Sequence, residues 1–269
     1  MITSVSNNRV KNVISLIKKS RTRKEQGVFV VEGVRMVREA PKDCVKELYV
    51  SESFLKREEN RLFLEKEAGV TFEAVTDEVF AKMSDTVSPQ GILCVLRQMQ
   101  YNLEEMLENK QGTFLILEDI QDPGNLGTMI RTGEGAGIAG VIMSHKTADI
   151  YNPKVIRSTM GSIYRVPFCY VEDLPAVLRL LSRRGVHTYA AHLDGDRYYN
   201  ECFFCGQTAI LIGNEGNGLS REVAAEASHK IKIPMEGKVE SLNAAVSASV
   251  LMSEVYRQKH ERRMTLDKR

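Results

Sequence analysis

From residue 113 onward, six short apolar runs (TFLIL, GVIMS, VPFCYV, VHTYAA, TAILI and KIKIP) alternate with stretches whose apolar residues recur at helical spacing. Runs of that kind read as strands buried on both faces, and strand–helix alternation leads to a mostly parallel sheet covered by helices. An earlier alternation runs through VFVVEG, VKELYVSES, VTFEAV and GILCVLRQ. Its helical patterns lie at 1–20 (Val10, Val13, Ile14, Ile17), in LKREENRLFLEKEAG and in DEVFAKMS, with a basic turn, SRTRKEQG, after the first. The chain therefore reads as α/β in two domains. A smaller one covers 1–98, a linker with a short helix covers 99–111, and a larger one covers 112–269.

In open parallel sheets ligands sit beyond the carboxyl ends of strands, and three loops of the larger domain occupy that position. The first contains Asp122-Pro123-Gly124-Asn125-Leu126-Gly127, where proline and glycine fix a tight turn into a helix that carries Arg131. An arginine there either binds phosphate or pairs with a buried carboxylate. Downstream, Gly135, Gly137 and Gly140 spell a nominal GxGxxG, but they close a helix and precede a strand. A dinucleotide fingerprint needs the reverse order, so that phosphate meets a helix N-terminus.

The second loop is GNEGNG, from Gly213 to Gly218, with glycines that allow close backbone approach and Glu215 as its only charge. The third follows KIP, where Pro234 ends the strand, and Ser241 stands as a plausible N-cap. The helix after it is small or apolar on nearly every side (Leu242, Ala244, Ala245, Val246, Ala248, Val250, Leu251), as expected of a helix buried against both its own sheet and a second subunit.

Net charge is only +2, yet it is unevenly spread. Residues 1–40 hold nine Lys or Arg against three Asp or Glu, and 41–120 hold nine against sixteen. Positive ends around a neutral body suit a polyanion partner, and equally a solvated helix face with a frayed tail. No apolar run reaches the length of a signal peptide or a membrane span, and five irregularly spaced cysteines argue against a disulfide framework, so a cytoplasmic protein is expected. Cys202-x-x-Cys205 lacks a partner pair at zinc spacing and the five histidines are scattered, so no metal site is expected.

The three loops, DPGNLGTMIRT, LIGNEGNGLS and IPMEGKVESLNAAVSASV, resemble the three motifs of the SpoU (TrmH-type) RNA ribose 2′-O-methyltransferases of the SPOUT superfamily. NPKVIRSTMGSIYRVP is similar to that family too, and SNNRVKNV, FVVEGVR and VSPQGILCVL resemble its RNA substrate-binding domain. The resemblance implies a C-terminal SPOUT-type parallel sheet with a trefoil knot and a smaller N-terminal α/β domain of ribosomal-protein-like, RNA-binding type. It also implies a homodimer, an RNA partner (rRNA of the 23S type, or alternatively tRNA) and S-adenosylmethionine as cofactor.

Carried over by position, the cofactor residues are Gly213, Asn214, Glu215, Gly216, Ile233, Met235, Ser241, Leu242 and Asn243. Gly213 and Gly216 would make room for the cofactor, and Ile233 and Leu242 would wall its adenine. Arg131, Asn125, Glu215 and Asn243 form the implied catalytic set: Arg131 on the target phosphate and forming alkoxide, the asparagines on the ribose, and Glu215 anchoring the loop or nearby polar groups. Asp122 stands where the motif commonly has asparagine. A basic strip of Arg9, Lys11, Lys18, Lys19, Arg21, Arg23 and Lys24 would take the RNA backbone, and Lys154 and Arg157 either extend it or form surface pairs. A non-catalytic RNA-binding protein on the same fold and a base methyltransferase are the rival readings. The intact loop residues weigh against the first, and the SLN of the third loop against the second.

Overall fold

A computed structural model describes residues 1–65 and 71–266, with the side chains of the closing helix described as far as residue 261. The end of LKREENRLFLEKEAG and the extreme C-terminus lie outside the described residues. By its contacts the chain divides into two units: Met1–Met99 with Asp149–Tyr164, and Gln100–Ala148 with Arg165–Arg269. The segment Asp149–Tyr164, read in the sequence as part of the C-terminal series, thus belongs to the first unit.

In the first unit β1 (Val28–Glu32), β2 (Val45–Ser51), β3 (Glu73–Val75) and β4 (Ile92–Arg97) form a sheet in the order β1-β4-β2-β3. Pairs β1–β4 and β4–β2 are antiparallel, and β2–β3 is parallel. Helices α1 (Asn8–Lys18), α2 (Ser20–Gln26), α3 (Val34–Glu39), α4 (Glu52–Lys56), α5 (Glu58–Phe63) and α6 (Asp77–Met83) accompany them. Asn7 caps α1 by accepting from the Arg9 N–H, and Val10, Val13 and Leu16 turn its apolar stripe onto Val28, Val30, Tyr49 and Leu93.

Two local expectations change. The basic turn SRTRKEQG is a helix, α2, closed by Gly27 in the left-handed conformation (φ 62°). Its anchor is Arg23, only 3% exposed. The guanidinium donates to Asp149 Oδ2 at 2.6 and 3.1 Å and to the carbonyls of Leu16 and Ile17 at 2.6 and 3.1 Å, satisfying the open end of α1. The helix expected after VKELYVSES is broken in two at Arg57, whose backbone is extended (φ −87°, ψ 126°). Ser51 caps the first piece, and Asn60 Nδ2 bonds the Phe54 carbonyl across the break.

The second unit carries α7 (Leu103–Met106), β5 (Thr113–Leu117), α8 (Pro123–Gly135), β6 (Gly140–Ser144), β7 (Phe168–Val171) and α10 (Leu174–Arg183), with α9 (Pro153–Thr159) of the first unit intervening. It continues with β8 (His187–Ala191), β9 (Arg197–Tyr198), β10 (Thr208–Ile212), α11 (Arg221–Glu226), β11 (His229–Lys232) and α12 (Ala244–Leu266). Seven strands lie in the order β7-β6-β5-β10-β8-β11-β9, every neighbouring pair parallel. Every residue of β5, β6 and β10 is buried, which accounts for their unbroken apolar runs. Leu174, Leu178 and Leu181 of α10 and Val223 of α11 cover one set of strand side chains, including Phe114, Ile142 and Leu211. Helix α12 packs on α8 and β10.

The GxGxxG look-alike resolves as a helix exit, with Gly137 (φ 67°) turning the chain from α8 into β6. Within one chain α12 buries a single stripe (Ala245, Ala248, Leu251, Met252, Val255), while Val246 is 47% and Tyr256 43% exposed. Among the described residues no helix is long and apolar enough to cross a membrane.

The Arg23–Asp149 pair has a measurable consequence. Arg23→Ala strands the Asp149 carboxylate and two α1 carbonyls, so it is expected to lower unfolding free energy by about 3 kcal/mol, read as a fall in the urea midpoint at unchanged slope.

Candidate active site

Strands β5 and β10 are neighbours at the middle of the sheet, so the loops leaving their carboxyl ends lie side by side. The first loop starts at Asp119, a non-glycine residue held left-handed (φ 54°). Ser144, at the end of β6, holds it there: its hydroxyl accepts from the Asp119 N–H (2.8 Å) and donates to Asp119 Oδ1 (2.7 Å). The turn aims the Asp119 carbonyl at the second loop, where it accepts from Asn214 Nδ2 at 2.8 Å. Asp122 then caps α8 by accepting from the Asn125 N–H (2.8 Å), with Pro123 in the first turn. An aspartate caps a helix as well as an asparagine does, which explains why the departure from the motif is harmless.

The second loop closes on itself. Asn214 and Gly218 exchange both backbone hydrogen bonds (3.0 and 2.9 Å), and Asn214 Oδ1 accepts from the N–H groups of Gly216 and Asn217. This corrects the reason given for Gly213. A Cβ there would stand 2.1 Å from the Gly218 carbonyl carbon and from the Leu219 nitrogen, so the loop's own closure already requires the glycine. At Gly216 a Cβ would meet only Asn214 Oδ1, at an ordinary van der Waals distance of 3.6 Å, so the loop itself does not require a glycine there.

Glu215 reaches out of this closed loop into the first. Its carboxylate accepts from the Gln121 N–H, the Asp122 N–H and Asn125 Nδ2, each at 3.0 Å. Burial works against its charge, but the hydrogen bonds from Gln121, Asn125 and Asp122 prevail and hold its pKa below the usual carboxylate value. Asn125 Oδ1 in turn accepts from Asn243 Nδ2 at 3.0 Å. Asn243 Oδ1 accepts from the N–H groups of Ala245 and Val246 and so caps α12. The cap is therefore Asn243 and not Ser241, because the helix starts at Ala244. One polar chain, Glu215–Asn125–Asn243, joins all three loops.

Residues 234–242 make no hydrogen bond with the rest of the protein among the described residues, and Ile233, Met235 and Leu242 are half-buried. Arg131 lies on α8, exposed, with no carboxylate at ion-pair distance among the described residues, so the buried-pair alternative for it is not what the structure shows. No contact joins it to Glu215, Asn125 or Asn243 among the described residues.

The basic strip is thinner than the sequence suggests. Arg23 leaves it, being buried. Arg9 faces Glu73 (2.9 Å) and Glu47 (3.6 Å), Arg21 pairs with Glu25, and Arg157 pairs with Asp85. Lys11, Lys18, Lys19 and Lys24 remain exposed. Sequence reading missed Asp119, Gln121 and Ser144. The only signal for them was their place at strand ends.

Parallel strands with three loops gathered beyond their carboxyl ends are thus joined in one chain to a second, smaller α/β unit. Residues 112–253 match the SpoU rRNA Methylase family, and residues 7–94 match the MRM3-like substrate binding domain. The chain belongs to the SpoU rRNA methylase family. It is 34% identical over 256 residues to the 23S rRNA (guanosine(2553)-2′-O)-methyltransferase RlmP of Bacillus subtilis, covering 93% of this chain and 97% of that one. Its fold matches the SpoU methyltransferase AviRb of Streptomyces viridochromogenes in complex with the cofactor AdoMet, with a TM-score of 0.84 at 25% identity over 94% of this chain and 98% of that one. It also matches the AdoMet-bound rRNA methyltransferase of Sinorhizobium meliloti, with a TM-score of 0.83 at 27% identity over 95% and 97%.

The lowered pKa of Glu215 fixes a sign. A depressed carboxylate contributes stability above its unfolded value, about 4.3, and loses that contribution as pH falls through the folded value. The stability gap between wild type and Glu215→Gln is therefore expected to be widest near neutrality and to close under acid, as followed by melting temperature across pH.

Proposed function

We propose that the protein transfers a methyl group from S-adenosylmethionine to a ribose 2′-hydroxyl of ribosomal RNA. The observation that carries this reading is the Glu215–Asn125–Asn243 chain, which locks the three loops at one spacing. The residues present fit the cofactor. Residues 234–242 keep their backbone donors and acceptors, Ile233, Met235 and Leu242 offer half-buried apolar contact, and Gly216 leaves space. With Gly213, Asn214, Glu215 and Ser241 they would hold it between the second and third loops. When bound, the cofactor supplies a methyl group activated on a sulfonium, and alignment of the hydroxyl then supplies much of the acceleration.

The chain's own residues take distinct parts. Asn125 and Asn243 spend their amides on each other, on Glu215 and on the α12 cap, and each keeps one N–H for the ribose. Their main role is thus to hold the loops. Arg131, exposed and permanently charged, would hold the target phosphate and stabilise the forming alkoxide. A guanidinium does not take up a proton, so the proton lost by the hydroxyl needs another acceptor, in which the target phosphate would share. Lys11, Lys18, Lys19 and Lys24 would carry the RNA backbone, with Lys154 beside them. Ribosomal RNA as substrate would place the protein in the cytoplasm.

The half-exposed Val246 supports pairing of α12 with a second copy. The knot implied by the family resemblance is part of the reading too. The chain leaves β11 two strands from β10, yet α12 returns to pack on β10 and α8.

Mapping 2′-O-methyl sites in total RNA with and without the gene tests the activity, and a ribosomal RNA site that disappears with the gene is expected. Arg131→Ala should cut turnover by about 10²–10³ with cofactor affinity unchanged in calorimetry. Retained turnover would remove Arg131 from the reaction. Light scattering at micromolar concentration should give a dimer, and Val246→Glu a monomer.

A further inference from the structure

The first unit contains a cavity of about 230 Å³ that the methyl-transfer reading leaves unused. At roughly 30 Å³ per water it has room for about eight waters, the scale of one heterocyclic base. Its lining includes the buried Phe54 (3% exposed) and Phe80 (1%), together with Pro89. Gly91 (φ 87°) closes one wall so tightly that a Cβ would lie 2.6 Å from Ser51 Oγ.

The rim is polar and mixed in kind. Asp77 Oδ1 accepts from the Ser53 N–H (3.0 Å) and Oδ2 from the Ser53 hydroxyl (2.6 Å), which leaves lone pairs on both oxygens. The Ser53 hydroxyl bond, followed by its backbone N–H, holds the Asp77 pKa below its ordinary value, so the group is a charged acceptor. Asn60 gives its Nδ2 to the Phe54 carbonyl and keeps Oδ1. Gln90 Oε1 accepts from the Val34 N–H at 2.8 Å, which orients the amide and keeps Nε2 as a donor. The Arg57 guanidinium has no partner among the described residues.

A free phosphate or backbone phosphate would want cations alone, and Asp77 repels it. Two donor and two acceptor side chains lining one cavity beside two phenylalanine rings match the mixed edge of a base. Guanine matches best, because its N1–H and N2–H donors stand next to its O6 and N7 acceptors.

We propose that this cavity takes one unstacked guanine of the RNA substrate, away from the nucleotide that is methylated, and so selects which RNA is docked. Asp77 accepts from the N1–H and N2–H edge, and Arg57 and Gln90 donate to the opposite edge. Single-stranded, splayed-out bases are the usual targets of sequence-specific RNA recognition, since only they expose these edges. The proposal rests on the RNA-methyltransferase reading and adds a specificity site to it.

The test uses the full chain and fluorescence anisotropy with short oligouridine RNAs that carry at the centre a guanosine, an inosine, an adenosine or an abasic ribose. The guanosine RNA is expected to bind about tenfold tighter than the abasic one, the size of one good bidentate contact, with inosine and adenosine between. Arg57→Ala and Asp77→Asn should each erase that difference, read as the ratio of guanosine to abasic affinity. Ser53→Tyr, at the rim, should do the same by filling the mouth, and it keeps the test valid if Asp77→Asn disturbs the fold. Equal binding of guanosine and abasic RNAs, or a preference that survives Arg57→Ala, would overturn the pocket while methylation of ribosomal RNA by the same preparation stays intact. Failure of methylation itself would instead strike the parent reading.

Discussion

The carboxylate of Glu215 accepts hydrogen bonds from a loop 94 residues earlier in the chain, and much of the site's order depends on that reach. Without it the loops after β5 and β10 would be neighbours only by virtue of their strands. With it, the start of α8 is tied to the second loop at two backbone N–H groups and one amide. Asn125 then passes the constraint to Asn243 and so to the first turn of α12. Charge-assisted hydrogen bonds of this kind are stronger than neutral ones, and the group stays ionised because its donors outweigh the cost of its burial.

The same region shows why its residues need not touch substrate to matter. Gly213 is fixed by the loop's own backbone, Asp119 is held in a left-handed turn by Ser144, and Asp122 caps α8. Each sets the direction of a neighbour's polar group. Preorganised dipoles are what a transfer between two bound molecules needs, because they spend no energy on rearrangement during the reaction.

In the first unit charge divides by burial. Arg23 is used up inside, where it closes the open carbonyls of α1 and meets Asp149, a residue of a segment far along the chain. Arg9, Arg21 and Arg157 are neutralised at the surface by nearby carboxylates. What remains exposed of the basic strip in α1 and α2 is lysine. A lysine ammonium keeps its water and serves as a point charge for a mobile polyanion, whereas a planar arginine is readily captured by a carboxylate.

Much of this protein was legible in the amino-acid sequence alone. The unbroken apolar runs from Thr113 onward required strands covered on both faces, hence a parallel sheet, and the loops at their ends marked the site. The reason is local: burial on two faces leaves no place for polar alternation. Helix boundaries set by short polar contacts were not legible, as the hidden helix at Ser20–Gln26 and the start of α12 at Ala244 show. Nor was the pairing of strands, since β10 sits beside β5 with most of the domain's sequence between them. Only the tertiary structure decided that Glu215, Asn125 and Asn243 form one chain and that Arg23 is buried while Lys24 beside it is exposed. Sequence fixes which groups a chain possesses. Which groups meet is settled by the packing of distant segments, whose contacts no local pattern encodes.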